Sequence, residues 1–222
     1  MTKKIVRILS TICMVSGFLI LLYVALPFLR WYLIDQPSLQ SQTVTSPIPE
    51  LVTDVASIPT KTPNSEDAKE WFPTQSENTK LLIPKVSSYT ISIPKLHIKN
   101  ARVATASYDL SKQLVHYPGT PLAPDIGTGV IFGHSSLPEF FSTKNYKSIF
   151  TYLPQLKKGD EILVQFPKIT YRYVVENATI VKPTDFSVFA QNKNGSFLTL
   201  VTCVPPGTTW KRLLIRAKLA KL

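Results

Sequence analysis

Three regimes of hydrophobic patterning divide the chain. The first is an unbroken apolar run, Ile8 to Leu29, 22 residues without a charge, preceded by Lys3, Lys4 and Arg7 and closed by Arg30-Trp31-Tyr32. That length suits a single helical crossing of a bilayer. The basic residues ahead of the run outnumber those behind it, which favours a cytoplasmic N-terminus and places everything after Trp31 outside the cytoplasm. A cleaved signal peptide is the rival reading, but the run exceeds the usual h-region and no A-x-A-like site follows it. Residues 1–34 are therefore expected to form a cytoplasmic tip and a single-pass membrane anchor, with Trp31 and Tyr32 at the interface.

The second regime, residues 35–85, has no sustained apolar period. It holds seven prolines, many Ser and Thr, and no glycine. This composition predicts an extended linker. Two short pieces, AKEWF and KLLI, carry enough apolar character to form local structure or to lie against a domain as a strap.

From Val86 onward the pattern changes to short runs of β-formers separated by turn signals. SYTISIP, ARVATAS, TGVIFGH, DEILVQF, TYRYVVENATIV, SFLTLVTC and RLLIRAKL read as strands, with breaks at Tyr-Pro-Gly-Thr, Lys-Lys-Gly-Asp and Asn-Gly. Helical spacing is confined to SIFTYLPQL, where Phe150, Leu153 and Leu156 recur. The prediction is a mainly β domain over 86–222, a closed barrel or sandwich of about eight strands with short helices.

Charge sharpens this division. Residues 86–222 carry 17 basic and seven acidic side chains, whereas the linker is acidic. A basic exported domain attracts anionic lipids or acidic wall polymers, and its location argues against nucleic acid as a partner. There is no Gly-rich phosphate loop and no Cys/His cluster at metal spacing, so no cofactor and no metal are expected. The two cysteines are Cys13, inside the apolar run, and Cys203, in the exported part; they cannot pair with one another across that divide.

Cys203 closes the apolar run Phe197 to Thr202 and precedes Pro-Pro-Gly and a basic cluster. A cysteine nucleophile needs a base or cation that favours thiolate, and acyl transfer needs a donor for the developing oxyanion. His134 closes the apolar run Val130 to Gly133 in the same manner, so two strands can present both groups at one rim. Arg212 opens the last strand, nine residues after Cys203 across a turn. Its guanidinium keeps its charge and offers several donors. Arg216 shares Arg212's face by period-2 alternation, and spacing alone does not choose between them. Taken singly, each group has a plain structural reading: a small buried thiol, a satisfied histidine, a solvated strand-end charge. His97 and His116 lack the strand-end context and read as structural.

TLVTC followed by RLLIRA, with an upstream Gly-His, resembles the sortases, membrane-anchored cysteine transpeptidases of bacterial surfaces. ISIPKLHI, HYPGTPLAP, VIFGHSSLP and LKKGDEILV stand in that family's order, and the resemblance covers 86–222. It implies a sortase-like β-barrel in which Cys203 is the nucleophile, His134 the acid/base, Arg212 the oxyanion and substrate ligand, and Thr202 a residue that helps bind the transition state. It also implies a substrate class: exported proteins bearing an LPxTG-like sorting signal, cleaved through a thioacyl intermediate and passed to an amine acceptor such as a wall precursor or another surface protein. A tethered cysteine peptidase that uses water as acceptor, and a non-catalytic β-domain that binds wall components, are the alternatives. The chain departs from the family pattern at His97, where IPKLGI has glycine, at Thr128, and at Ser135, where GHR has arginine. SSLP, LKKGD and RLLIRA lean toward pilus-polymerising members, which usually carry an Asp-Pro-aromatic lid that has no plain counterpart here.

Overall fold

The protein is described from a computed structural model covering residues 2–35, 66–71 and 86–220. Two compact units are present, residues 1–41 and 42–222. The first unit is a helix, α1 (Thr2–Arg30), continued by a short π-helical turn over Trp31–Asp35. Its stretch Lys4–Leu26 is long and apolar enough to cross a membrane, which makes it a candidate anchor or signal sequence.

The described residues of the second unit form eight strands: β1 (Ser88–Ile93), β2 (Ile98–Ala104), β3 (Leu114–His116), β4 (Gly127–Phe132), β5 (Glu161–Phe166), β6 (Ile169–Val181), β7 (Ser196–Val204) and β8 (Lys211–Leu219). They close into a barrel in the order β1-β2-β3-β4-β7-β8-β6-β5. Two neighbouring pairs, β2 with β3 and β4 with β7, run parallel, and the others are antiparallel. Closure removes the sheet edges. The expected mainly β barrel is thus present, with one strand more than the seven apolar runs suggest. The addition is β3, only three residues long, within the stretch whose Pro-Gly-Thr marks a loop.

Burial differs from strand to strand. β1 over Ser88–Ile91 and β5 over Glu161–Gln165 alternate buried with partly exposed positions, as strands with one wet face do. In β4 and β7 every residue is buried. Both faces of these two strands are therefore covered, the inner by the barrel core and the outer by loops. On β8 the inward residues Leu213, Ile215 and Ala217 are fully buried, so Arg212, Leu214, Arg216 and Lys218 lie on the outer face.

Among the described residues of this unit, helical structure is limited to short 3-10 turns, among them Leu153–Gln155 within the stretch of helical spacing. Of residues 35–85, the expected linker, Asp35 and residues 66–71 are described; the KLLI piece lies outside the described residues. Ala68–Trp71 form a 3-10 turn with Ala68 and Trp71 buried, so AKEW lies against the barrel as a strap; Phe72 lies outside the described residues.

Candidate active site

Strands β7 and β8 pair without a break from Phe197–Lys218 to Val204–Lys211, and this register sets Cys203 directly opposite Arg212. Directly opposed residues on an antiparallel pair share a face. The ambiguity between the two arginines is resolved by this register, because Arg216 lies opposite Thr199 instead. On the other side of β7, β4 runs parallel with Phe132 beside Val201. His134 follows two residues after the end of β4 and lines one cleft with Cys203, which faces Arg212 across β7 and β8.

Backbone and side-chain bonds hold this arrangement. The Gly133 N–H donates to the Val201 carbonyl at 3.1 Å, and the Phe150 N–H donates to the His134 carbonyl at 2.9 Å. The Ser135 hydroxyl donates to the Cys203 carbonyl at 2.6 Å. Gly133 must lack a side chain: a Cβ there would stand 2.4 Å from Phe150 Cδ2 and 2.6 Å from Leu114 Cδ2. The glycine of the Gly-His pair is thus a packing requirement just ahead of His134.

Thr202 is placed differently from the other three. It is fully buried on the inward face of β7, and its hydroxyl donates to the Gly133 carbonyl at 2.8 Å. The side chain ties the β4 terminus to β7 and does not share the face of Cys203. His116 sits elsewhere again, buried between the Tyr89 hydroxyl, 2.7 Å from Nδ1, and the Thr120 hydroxyl, 2.9 Å from Nε2. His97 is exposed and caps the Pro94–Leu96 turn with φ of 55°. This left-handed backbone is the conformation that glycine adopts most readily, the residue expected at that point of the motif.

That cleft, of about 370 Å³, is lined by Cys203, His134, Ser135, Thr208, Glu66 and Lys147. Two of these, Glu66 and Lys147, were not singled out by the sequence. Glu66 begins the strap and pairs with Lys147 at 2.6 Å. The strap is further pinned to residues 108–110: Ala68 N–H donates to the Tyr108 carbonyl and Leu110 N–H to the Glu66 carbonyl, both at 2.9 Å.

The strap ends on the site itself. Trp71 is 3% exposed. Its ring lies 5.5 Å from that of His134 and 5.5 Å from that of Phe132, with the Arg212 guanidinium 5.2 Å from its centroid. Arg212 Nη2 donates to the Trp71 carbonyl at 3.2 Å, and Nη1 donates to the Thr209 carbonyl at 2.9 Å. Tyr108, Tyr117 and Phe189 complete an aromatic cover over Val130, Phe132 and Val201.

Burial sets the electrostatics of the site. It pushes the Cys203 thiol up from its ordinary pKa, and the Arg212 charge pulls it partly back. Burial also pushes the His134 imidazole down; Glu66 opposes this shift and Lys147 reinforces it. Both groups are held toward their neutral forms with the strap in place. His134 Nε2 is buried with no hydrogen-bond partner among the described residues, so this nitrogen is available to a reacting group. No group of three His, Cys, Asp or Glu residues fit to hold a metal occurs among the described residues.

The family model for the sortase domain matches residues 91–220. Among solved structures, the chain is similar to the pilus-related Sortase C of Group B Streptococcus, at 31% identity and a TM-score of 0.52, over 62% of this chain and 69% of that one. It is similar to a lid mutant of Sortase A from Corynebacterium diphtheriae, at 29% identity and a TM-score of 0.53, over 62% of this chain and 72% of that one. A Clostridium perfringens Sortase D5 transpeptidase shares the fold at 24% identity and a TM-score of 0.52, over 61% of this chain and 79% of that one. No curated protein matches the chain.

Proposed function

Because the chain belongs to the sortase family, whose members are cysteine transpeptidases, we propose that it cleaves an LPxTG-like sorting signal and transfers the acyl part to an amine, with Cys203 as nucleophile. The observation that carries this reading is that Cys203 faces Arg212 across β7 and β8 and shares one cleft with His134.

Cys203 gives its proton to His134 Nε2, and the thiolate sulfur bonds to the carbonyl carbon of the signal's threonine. Arg212 donates to the oxygen as it becomes an oxyanion. The tetrahedral species collapses by breaking the threonine–glycine C–N bond, and the imidazolium returns its proton to the departing amine. A thioacyl enzyme remains. The acceptor amine then attacks it and passes a proton to His134; the C–S bond breaks, and the thiolate takes the proton back. No cofactor enters this cycle.

Thr202 acts through Gly133, holding the strand end that carries His134. The apolar rows beside the site, Phe132 and Val201 with Leu214, suit the leucine and proline of the signal once the strap has moved aside. The helix Lys4–Leu26 anchors the domain outside a bilayer with its N-terminus cytoplasmic, which concentrates enzyme and membrane-held substrate in one plane. Incubation with LPxTG-type peptides and small amines, read by product mass, tests this proposal. Products that depend on Cys203 support it, and the absence of any product contradicts it.

A further inference from the structure

The outer face of β8 carries a second cation below the site. Arg212, Leu214, Arg216 and Lys218 alternate along it, and the register assigns each a row across the barrel. The first row contains Val181, Arg212 and Cys203. The next contains Thr179, Leu214, Val201 and Phe132, and is polar only at its β6 end. The third contains Asn177, Arg216, Thr199 and Val130.

Two features of the third row stand out. Thr199 is 1% exposed, and its hydroxyl has no hydrogen-bond partner among the described residues. A buried hydroxyl without a partner is uncommon and calls for an explanation. Beside it, Arg216 is half-buried, and its guanidinium makes no hydrogen bond or ion pair with any described residue. Glu176, in the β6 bulge next to Asn177, forms no ion pair with it. Lys218, one row further, lies 5.5 Å from the Phe197 ring and adds positive charge to the same face. A cation, a hydroxyl without a partner and the Asn177 amide thus share one row of the outer face, with no acid paired to the cation among the described residues.

Spacing identifies the ligand. Four residues along β8 separate Arg216 from Arg212, about 13 Å at strand rise. An extended peptide whose scissile carbonyl lies at Arg212 covers that distance in four residues. Resting on the sortase reading, we propose that Arg216 and Thr199 form a subsite for a carboxylate side chain on the substrate residue that immediately precedes the Leu-Pro-x-Thr segment. The intervening row takes the apolar part of the signal, and the acid ahead of it fixes register.

The test uses the full chain in detergent with three peptides that differ only in the residue before LPxTG: Glu, Ala or Lys. Turnover is read as kcat/KM by product mass, and binding as fluorescence anisotropy on the Cys203→Ala variant. The Glu peptide is expected to exceed the Lys peptide about fivefold or more in both readouts, the scale of one partly buried ion pair. Arg216→Glu reverses the order, and Thr199→Val weakens the Glu peptide alone. Equal handling of Glu and Lys peptides by the unaltered protein, or a preference that survives Arg216→Glu, overturns the proposal. If no peptide is converted, the sortase reading fails, and anisotropy still decides the subsite: equal affinity for the Glu and Lys peptides overturns it.

Discussion

Arg212 holds the carbonyl oxygen of Trp71 through Nη2 at 3.2 Å. In the proposed reaction the same guanidinium receives the substrate carbonyl, so the strap occupies the place of the substrate. The indole covers His134, and the Glu66–Lys147 pair fastens the strap's start. On that reading, substrate entry requires the strap to leave. Trp71→Ala is expected to raise the rate of Cys203 alkylation by iodoacetamide about tenfold, because the thiol loses the cover that disfavours its ionisation. Cys13→Ser in both proteins confines the label to one thiol. An unchanged alkylation rate removes the strap as a barrier.

Arg212 offers a planar fork of donors, which a lysine ammonium cannot reproduce. Arg212→Lys keeps the charge opposite Cys203 and loses that fork. The expectation is a fall in kcat of about 100-fold or more for both Arg212→Lys and Arg212→Ala, with a smaller change in KM. Steady-state kinetics of peptide transfer to an amine provide the comparison. A lysine variant with nearly full kcat contradicts the oxyanion role.

The Thr202 hydroxyl donates to the Gly133 carbonyl from the face opposite Cys203. Thr202→Val keeps the shape and removes the bond, leaving a buried carbonyl with one partner fewer, at a cost of about 1–3 kcal/mol in stability. Activity is expected to fall through kcat with KM little changed, since His134 drifts while the peptide surface stays intact. Thr202→Ser restores both. A KM effect with unaltered kcat assigns the residue to substrate contact instead.

His116 is buried in the barrel, and desolvation lowers its pKa from 6.5 to about 4. The folded protein keeps the ring neutral while the unfolded chain accepts a proton. Stability from this group is therefore intact above about pH 6.5 and is lost as pH falls toward 4, to a total of roughly 3 kcal/mol. Burial shifts His134 in the same direction. Urea denaturation at pH 7 and at pH 4.5 should show a large drop for the unaltered protein. His116→Gln should be weaker at pH 7 and should have a flatter pH dependence. Equal slopes in the two proteins contradict the buried-neutral assignment.

The proximity of His134, Cys203 and Arg212 was legible in local pattern. Two apolar runs that end on His134 and Cys203, and a turn short enough to bring Arg212 back, specify three strand ends at one rim; closure of the barrel does the rest. What lay beyond local pattern was the choice between Arg212 and Arg216, which depends on register across the turn. Thr202 and Cys203 are neighbours in sequence, yet β alternation sends them to opposite faces. Strand β3 is three residues in a stretch rich in turn signals, too short to show a period. The strap was legible only as an apolar fragment, because Trp71 contacts residues more than 60 positions away and nothing nearby in the chain announces that surface.

The central claim is that Cys203, with His134 and Arg212, transfers an acyl group from a sorting signal to an amine. Intact mass of the full chain incubated with LPxTG-type peptides, with and without a small amine, tests it most directly. The predicted result is an acyl adduct on Cys203 that disappears as amine-ligated peptide accumulates, with no adduct in Cys203→Ala and greatly slowed conversion in His134→Ala and Arg212→Ala. A protein that forms no adduct with any peptide, including after Trp71→Ala, contradicts the account.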